Sequence, residues 1–226
     1  MTQAPLAISM GDPAGIGPEI IAKSWAVRAL RSLPHFALVG DPAVVRRVWS
    51  GPVEAINDIG EAAAVFERAL PVLAVGDAGP VTPGTPEVGG ARAALQALEQ
   101  SIALVRSGAA RALVTGPVSK AQLYGIGFNH PGQTEFVAER CGVAAEDAVM
   151  MLAGPSLRVV PMTAHVPLAQ VPSLLSVELI VAKGRATALG LTRDFGIAAP
   201  RLAFAGLNPH AGEDRKSTRL NSSHGY

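Results

Sequence analysis

Apolar and polar positions alternate between two periods along most of this chain. Leu6 to Met10 is a short apolar run closed by Gly11-Asp12-Pro13-Ala14-Gly15-Ile16-Gly17-Pro18, and an amphipathic stretch follows from Glu19 to about Leu30. That is a strand, a loop and a helix, with Pro18 suited to a first helical turn where its missing N–H has no intrahelical partner to lose. Phe36 to Val39 reads as a second strand, and Asp41 as the cap of a helix beginning at Pro42. Val72 to Val75 is a further strand, 76–90 a glycine- and proline-rich loop, Ala91 to Arg106 a helix and Ala112 to Thr115 a strand. Strands alternating with helices predict an α/β chain whose sheet is largely parallel and covered on both faces.

The second half keeps the rhythm. A helix is expected at Thr134 to Cys141, and strands at Ala148 to Leu152, Leu157 to Met162 and Leu202 to Leu207. Between the last two, Val177, Ile180, Val181, Ala188 and Leu191 fall on one face of a helix running to Asp194, with Gly196 as its stop. Gly125, Gly127, Pro131 and Gly132 cluster where one unit gives way to another, so residues 1–130 are read as a first α/β domain and 131–213 as part of a second. No internal repeat is present. The last thirteen residues, 214–226, carry no periodicity and interrupt the pattern where the next helix should begin. We expect them to be foreign to the fold, and His224 is discounted with them.

Composition narrows the function. With 226 residues, 49% of them hydrophobic and 16% charged, the chain has apolar material for a sizeable core. A formal charge of +1 and few aromatic residues offer no electrostatic footprint for nucleic acid, so small-molecule chemistry is the better expectation. The single cysteine, Cys141, excludes an internal disulfide and reads as a small core residue of a helix. No basic leader with an apolar stretch opens the chain, and no apolar run reaches the roughly 18 residues of a membrane helix, which points to the cytoplasm.

Two expected strand ends share a design: Met162 is followed by Thr163-Ala164-His165-Val166-Pro167, and Leu207 by Asn208-Pro209-His210-Ala211-Gly212. Joined through one helix, those strands should be parallel and close, with both histidines on one sheet edge. Strands about 4.8 Å apart would let two imidazoles converge on a metal. A single histidine near a strand end is more usually an ordinary hydrogen-bonded loop residue, and no third ligand is evident where a catalytic metal takes about three. The opening loop holds Gly15-x-Gly17, but Ile20 stands where the dinucleotide fingerprint needs glycine, so it is either a structural turn or an anion site at a helix start. Lys120, after the strand ending at Thr115, either meets an anion or is a solvated first-turn lysine. At another helix start, either Thr134 is an N-cap and nothing more, or Gln133 and Thr134 donate hydrogen bonds to a polar substrate.

The segments Gly11 to Glu19, Val114 to Lys120, His130 to Phe136 and Gly206 to Glu213, in that order, closely resemble the 4-hydroxythreonine-4-phosphate dehydrogenase family of pyridoxal phosphate biosynthesis. The resemblance implies two α/β/α domains similar to the isocitrate and isopropylmalate dehydrogenases, the second incomplete here, in a homodimer whose partner subunit completes the active site. It implies His165 and His210 as metal ligands, with a third histidine later in the family and absent from this chain. It also implies Gln133 and Thr134 as substrate-binding residues, although the family commonly has histidine where this chain has Gln133. The implied reaction is oxidation of the secondary hydroxyl of 4-phosphooxy-L-threonine by NAD or NADP, followed by loss of carbon dioxide. Histidine ligands suit zinc or cobalt, and magnesium would want more oxygen. No general base and no cofactor-binding residue can be named. Other phosphorylated hydroxy acids, such as 4-phosphoerythronate, and a non-redox phosphate acetyltransferase-like enzyme are the alternatives, and the chain by itself is expected to be inactive.

Overall fold

A computed structural model describes residues 3–144, 147–208 and 210. The chain divides into two compact units, Met1–Gly142 and Val143–Tyr226.

In the first unit the elements are β1 (Leu6–Ser9), α1 (Gly17–Ala26), β2 (Phe36–Gly40), α2 (Pro42–Val48), β3 (Val53–Ile56), α3 (Ala62–Val65), β4 (Leu70–Ala74), α4 (Val88–Arg106), β5 (Ala112–Thr115), α5 (Lys120–Gly125) and α6 (Gln133–Arg140). The five strands form one parallel sheet in the order β3-β4-β2-β1-β5. Alternate residues of the central strands serve opposite faces. Ile8, Phe36, Leu38, Leu70 and Val72 join Ile21, Trp25, Val44 and Phe66 on one side, while Ala7, Ala37, Val39 and Leu73 join Ile56, Ile59, Val65 and Ala97 on the other. Burial on both faces is why these strands read as continuous apolar runs.

Small residues let α4 lie close to the sheet: Ala91, Ala93, Ala94 and Ala97 are all buried, and the helix packs across β1 and β2. The expected cap is present, with Asp41 Oδ1 accepting from the Ala43 N–H at 2.7 Å while Oδ2 accepts from the Ala78 N–H at 3.1 Å. One carboxylate thus starts α2 and anchors the loop that precedes α4. The unit divides after α6 because Phe136, on α6, is buried with Leu98 and Ile102 of α4, Leu123 of α5 and Phe128. Cys141 is exposed at the end of α6 and is not the core residue expected from its helical setting.

The second unit departs from the expected alternation. Its strands are the two-residue β6 (Leu152–Ala153) and β7 (Arg158–Val159), paired antiparallel, followed by α7 (Val171–Leu174) and α8 (Val177–Phe195). Residues 202–207 form no strand. A parallel strand needs cover on both faces, and among the described residues of this unit only Thr187 and Leu191 are buried. Leu152, Leu157, Phe204 and Leu207 remain exposed, and although the Phe204 ring lies against Gly184 of α8, these apolar runs are not covered on both faces. Helix α8 follows the expectation closely. The Ser176 hydroxyl accepts from the Leu179 N–H at 3.1 Å, and Gly196 closes the helix at φ 67°. The tail at 214–226 lies outside the described residues. Among the described residues no helix is long and apolar enough to cross a membrane.

Candidate functional site

Strand order places a switch point beside β1. From β1 the chain moves to β2 on one side, while β5 returns on the other, so the loops after β1 and β5 leave the carboxyl edge in neighbouring positions. Open parallel sheets bind ligands in the crevice at such points.

Both loops are held tightly together. The Gly116 N–H donates to the Ser9 carbonyl at 2.9 Å and the Asp12 N–H to the Pro117 carbonyl at 2.8 Å. This closeness requires glycine twice: a Cβ on Gly11, whose φ is +76°, would lie 2.4 Å from the Pro117 oxygen, and one on Gly116 would lie 2.5 Å from the Met10 oxygen. Asp12 is 4% exposed, its Oδ1 accepting from the Ala14 N–H at 2.9 Å and its Oδ2 buried with no partner among the described residues. It borders a small cavity with Thr85, Glu87 and Gly90 at the start of α4.

Helix α6 brings its first turn to this edge. Gln133 Nε2 donates to the Gly116 carbonyl at 3.1 Å, which ties the helix start to the end of β5. Thr134 follows on the first turn and is exposed, and Gly132 takes the capping position without a side-chain hydrogen bond. The capping role open to Thr134 is therefore not the one it fills. Lys120, first residue of α5, donates through Nζ to the Pro131 carbonyl at 2.7 Å. It is exposed on the first turn of α5, as one of its two readings has it, and it also braces the loop before α6.

The other support of this loop was not legible in advance. The His130 ring stands edge-on to Phe128 and Phe136 with centroids 5.1 and 5.2 Å away, and its Nε2 lies 3.6 Å from Glu139 Oε2. The Arg140 guanidinium covers Phe136 at 4.5 Å and reaches Glu99 Oε1 on α4 at 3.2 Å. The aromatic spacing Phe128, His130, Phe136 was the available signal.

The two histidines of the second unit are placed differently from expectation. Among the described residues no parallel strands precede them, so the shared sheet edge that was to bring them together is not formed there. His165 sits in an exposed loop with φ 59°, a backbone region that non-glycine residues seldom adopt. His210 is exposed, and its backbone N–H donates to Asn208 Oδ1 at 2.9 Å. Among the described residues no group of three His, Cys, Asp or Glu side chains is placed to hold a metal ion. Two imidazoles have the right chemistry for a borderline divalent cation, but the described residues do not complete a ligand set.

Comparison with known proteins adds to this geometry. A family model described as pyridoxal phosphate biosynthetic protein PdxA matches residues 32–219. The chain is 53% identical over 210 residues to a 4-hydroxythreonine-4-phosphate dehydrogenase of Zymomonas mobilis, covering 93% of this chain and 63% of that protein. To the protein of the same name from Erythrobacter litoralis it is 52% identical over 219 residues, covering 95% and 65%. The crystal structure of 4-hydroxythreonine-4-phosphate dehydrogenase from Klebsiella pneumoniae matches with a TM-score of 0.82 and 31% identity, over 93% of this chain and 66% of that one. The chain thus spans a little under two thirds of the length of the relatives it matches.

Proposed function

The chain belongs to the PdxA family of pyridoxal phosphate biosynthetic proteins, and on that premise we propose that it comes from a cytoplasmic, homodimeric dehydrogenase of 4-phosphooxy-L-threonine. In the proposed reaction the hydride on the carbinol carbon passes to NAD or NADP and the hydroxyl proton to a base or water. The product is 2-amino-3-oxo-4-phosphooxybutanoate, a β-keto acid that then loses carbon dioxide. In this reading the two units belong to a fold similar to that of the isocitrate and isopropylmalate dehydrogenases.

One observation carries the assignment to this chain's own residues: the hydrogen bond from Gln133 to Gly116. It sets the first turn of α6, with Gln133 and Thr134, at the switch point of the parallel sheet, where a polar substrate would meet both side chains. A divalent cation, zinc or cobalt by the preference of imidazole, would supply polarisation of the hydroxyl and of the ketone that replaces it. His165 and His210 are the ligands this chain would contribute. They make a partial set, which is one reason we propose that residues 1–226 alone turn over little substrate.

The test is the rate of NADH and NADPH formation by the protein expressed from its chromosomal gene, with 4-phosphooxy-L-threonine against 4-phosphoerythronate. Preference for the threonine compound is expected. Preference for the erythronate would overturn the substrate, and full activity after chelation of metals would overturn the metal-dependent reaction.

A further inference from the structure

The start of α6 has a defined hydrogen-bond polarity. A backbone carbonyl only accepts, so the end of the Gln133 amide that lies 3.1 Å from the Gly116 oxygen is the NH2 group, Nε2. The opposite end, Oε1, is buried and has no hydrogen-bond partner among the described residues. The backbone on both sides of this bond is anchored. Gly116 is held by its own N–H on Ser9 and by the close approach of Met10, and Gln133 is the first residue of a helix anchored through buried Phe136. An oriented amide with an unsatisfied, water-excluded acceptor is an unfavourable arrangement unless a donor arrives.

We propose that Gln133 determines specificity by accepting: Oε1 takes a hydrogen bond from a hydroxyl or ammonium group of the substrate, and it disfavours a phosphate or carboxylate oxygen at that place. The inference rests on the reading of the α6 start as a substrate subsite. An anionic oxygen set against Oε1 would oppose lone pair to lone pair. The hydroxyl or the ammonium group of 4-phosphooxy-L-threonine would fit, and its phosphate must then be held elsewhere. Because an amide does not titrate, the acceptor is present at every pH at which the fold persists. A histidine in this position would donate to Gly116 with one nitrogen and accept with the other only while neutral, since imidazolium carries donors alone.

The chain labelled with 13C and 15N is titrated with 4-phosphooxy-L-threonine, with O-phospho-L-homoserine, which lacks the secondary hydroxyl, and with inorganic phosphate. The resonances followed are Gln133 Cδ, Gln133 Nε2 and the Thr134 backbone amide. The threonine compound is expected to move Gln133 Cδ, and inorganic phosphate to leave it in place. O-phospho-L-homoserine then identifies the donor: an unchanged Cδ response assigns the ammonium, and a lost one the hydroxyl. In parallel, the affinity of Gln133→His relative to the parent should fall about tenfold as pH drops through the imidazole range near 6.5. The proposal is overturned if inorganic phosphate moves Nε2 as strongly as the threonine compound does, because the amide would then be donating to an anion. It is also overturned if Thr134 responds while Gln133 does not, or if the affinity ratio is flat with pH. If neither residue responds to any ligand, the substrate subsite itself fails, and the inference fails with it.

Discussion

The carbonyl oxygen of Pro117 lies 2.4 Å from where a side chain on Gly11 would begin. Two loops from adjacent parallel strands can approach this closely only because neither carries a Cβ at the crossing, and Gly11 also needs its φ of +76°. Gly11→Ala should therefore combine a left-handed backbone penalty of about 1–2 kcal/mol with a steric clash against backbone, for a total above about 2 kcal/mol. Gly84, at φ +79° with nothing within 4 Å, isolates the backbone part. Urea denaturation of both alanine variants separates the effects, and equal midpoints would show that the loops yield without cost.

A second prediction concerns the core under α1. Trp25 Nε1 donates to the Phe66 carbonyl at 2.8 Å in a buried setting, and the Arg28 guanidinium covers the indole at 3.9 Å. Trp25→Phe keeps most of the apolar contact and removes the donor, leaving a buried carbonyl unsatisfied. A loss of about 1–3 kcal/mol is expected in chemical denaturation. No measurable change would mean that the hydrogen bond contributes nothing beyond packing.

How far the fold could be read in advance follows from where burial occurs. Strands β1, β2 and β4 were legible because the sheet is covered on both faces there and their apolar runs are nearly unbroken, and β5, at the sheet edge and partly exposed, was legible from the apolar run 112–114. Strand β3, at the opposite edge, escaped notice because Glu54, which pairs with Arg68 at 2.7 Å, gives Val53–Ile56 a polar interruption. The run 202–207 looks like a strand for the same reason that β2 does, yet its side chains stay exposed, with Phe204 only resting against Gly184 of α8. At the site, residue identity located Gln133 and Thr134 at a helix start. It could not show that Gln133 reaches back to Gly116, because that contact depends on the placement of α6 by Phe136 and Lys120.

Acidification should loosen α8 in a defined window. The Glu178 carboxyl is held below its ordinary range by its own backbone N–H and by the Ser176 side chain, and that of Asp194 by hydrogen bonding to Arg193. A carboxyl whose folded pKa is lowered stabilises the fold fully above its unfolded value. That contribution is lost as pH falls through the folded value. Circular dichroism should thus show α8 unchanged between about pH 7 and pH 5 and progressively weaker below about pH 4, with both groups titrating below the usual carboxylate values near 4. NMR titration midpoints at or above those values would sink this account. The effect is small because both groups are exposed at the ends of one helix.

Metal binding tests whether the two histidines of the second unit are a partial site. Three protein ligands are usual for a catalytic zinc, and structural zinc sites in small domains reach apparent binding energies of about 10–16 kcal/mol. With no group of three ligating side chains among the described residues, and with His165 and His210 both exposed on loops, the chain should bind zinc no more tightly than about 1 μM. His165→Asn and His210→Asn should each weaken that binding further, and the double variant should abolish what the pair contributes. His165 stands at φ 59°, where asparagine is among the better tolerated replacements, so a loss in that variant reports on the imidazole and not on the backbone. Competition with a chromophoric chelator measures all four proteins. Nanomolar affinity in the parent would show a completed site within this chain, and unchanged affinity in both single variants would remove the two histidines from the metal altogether.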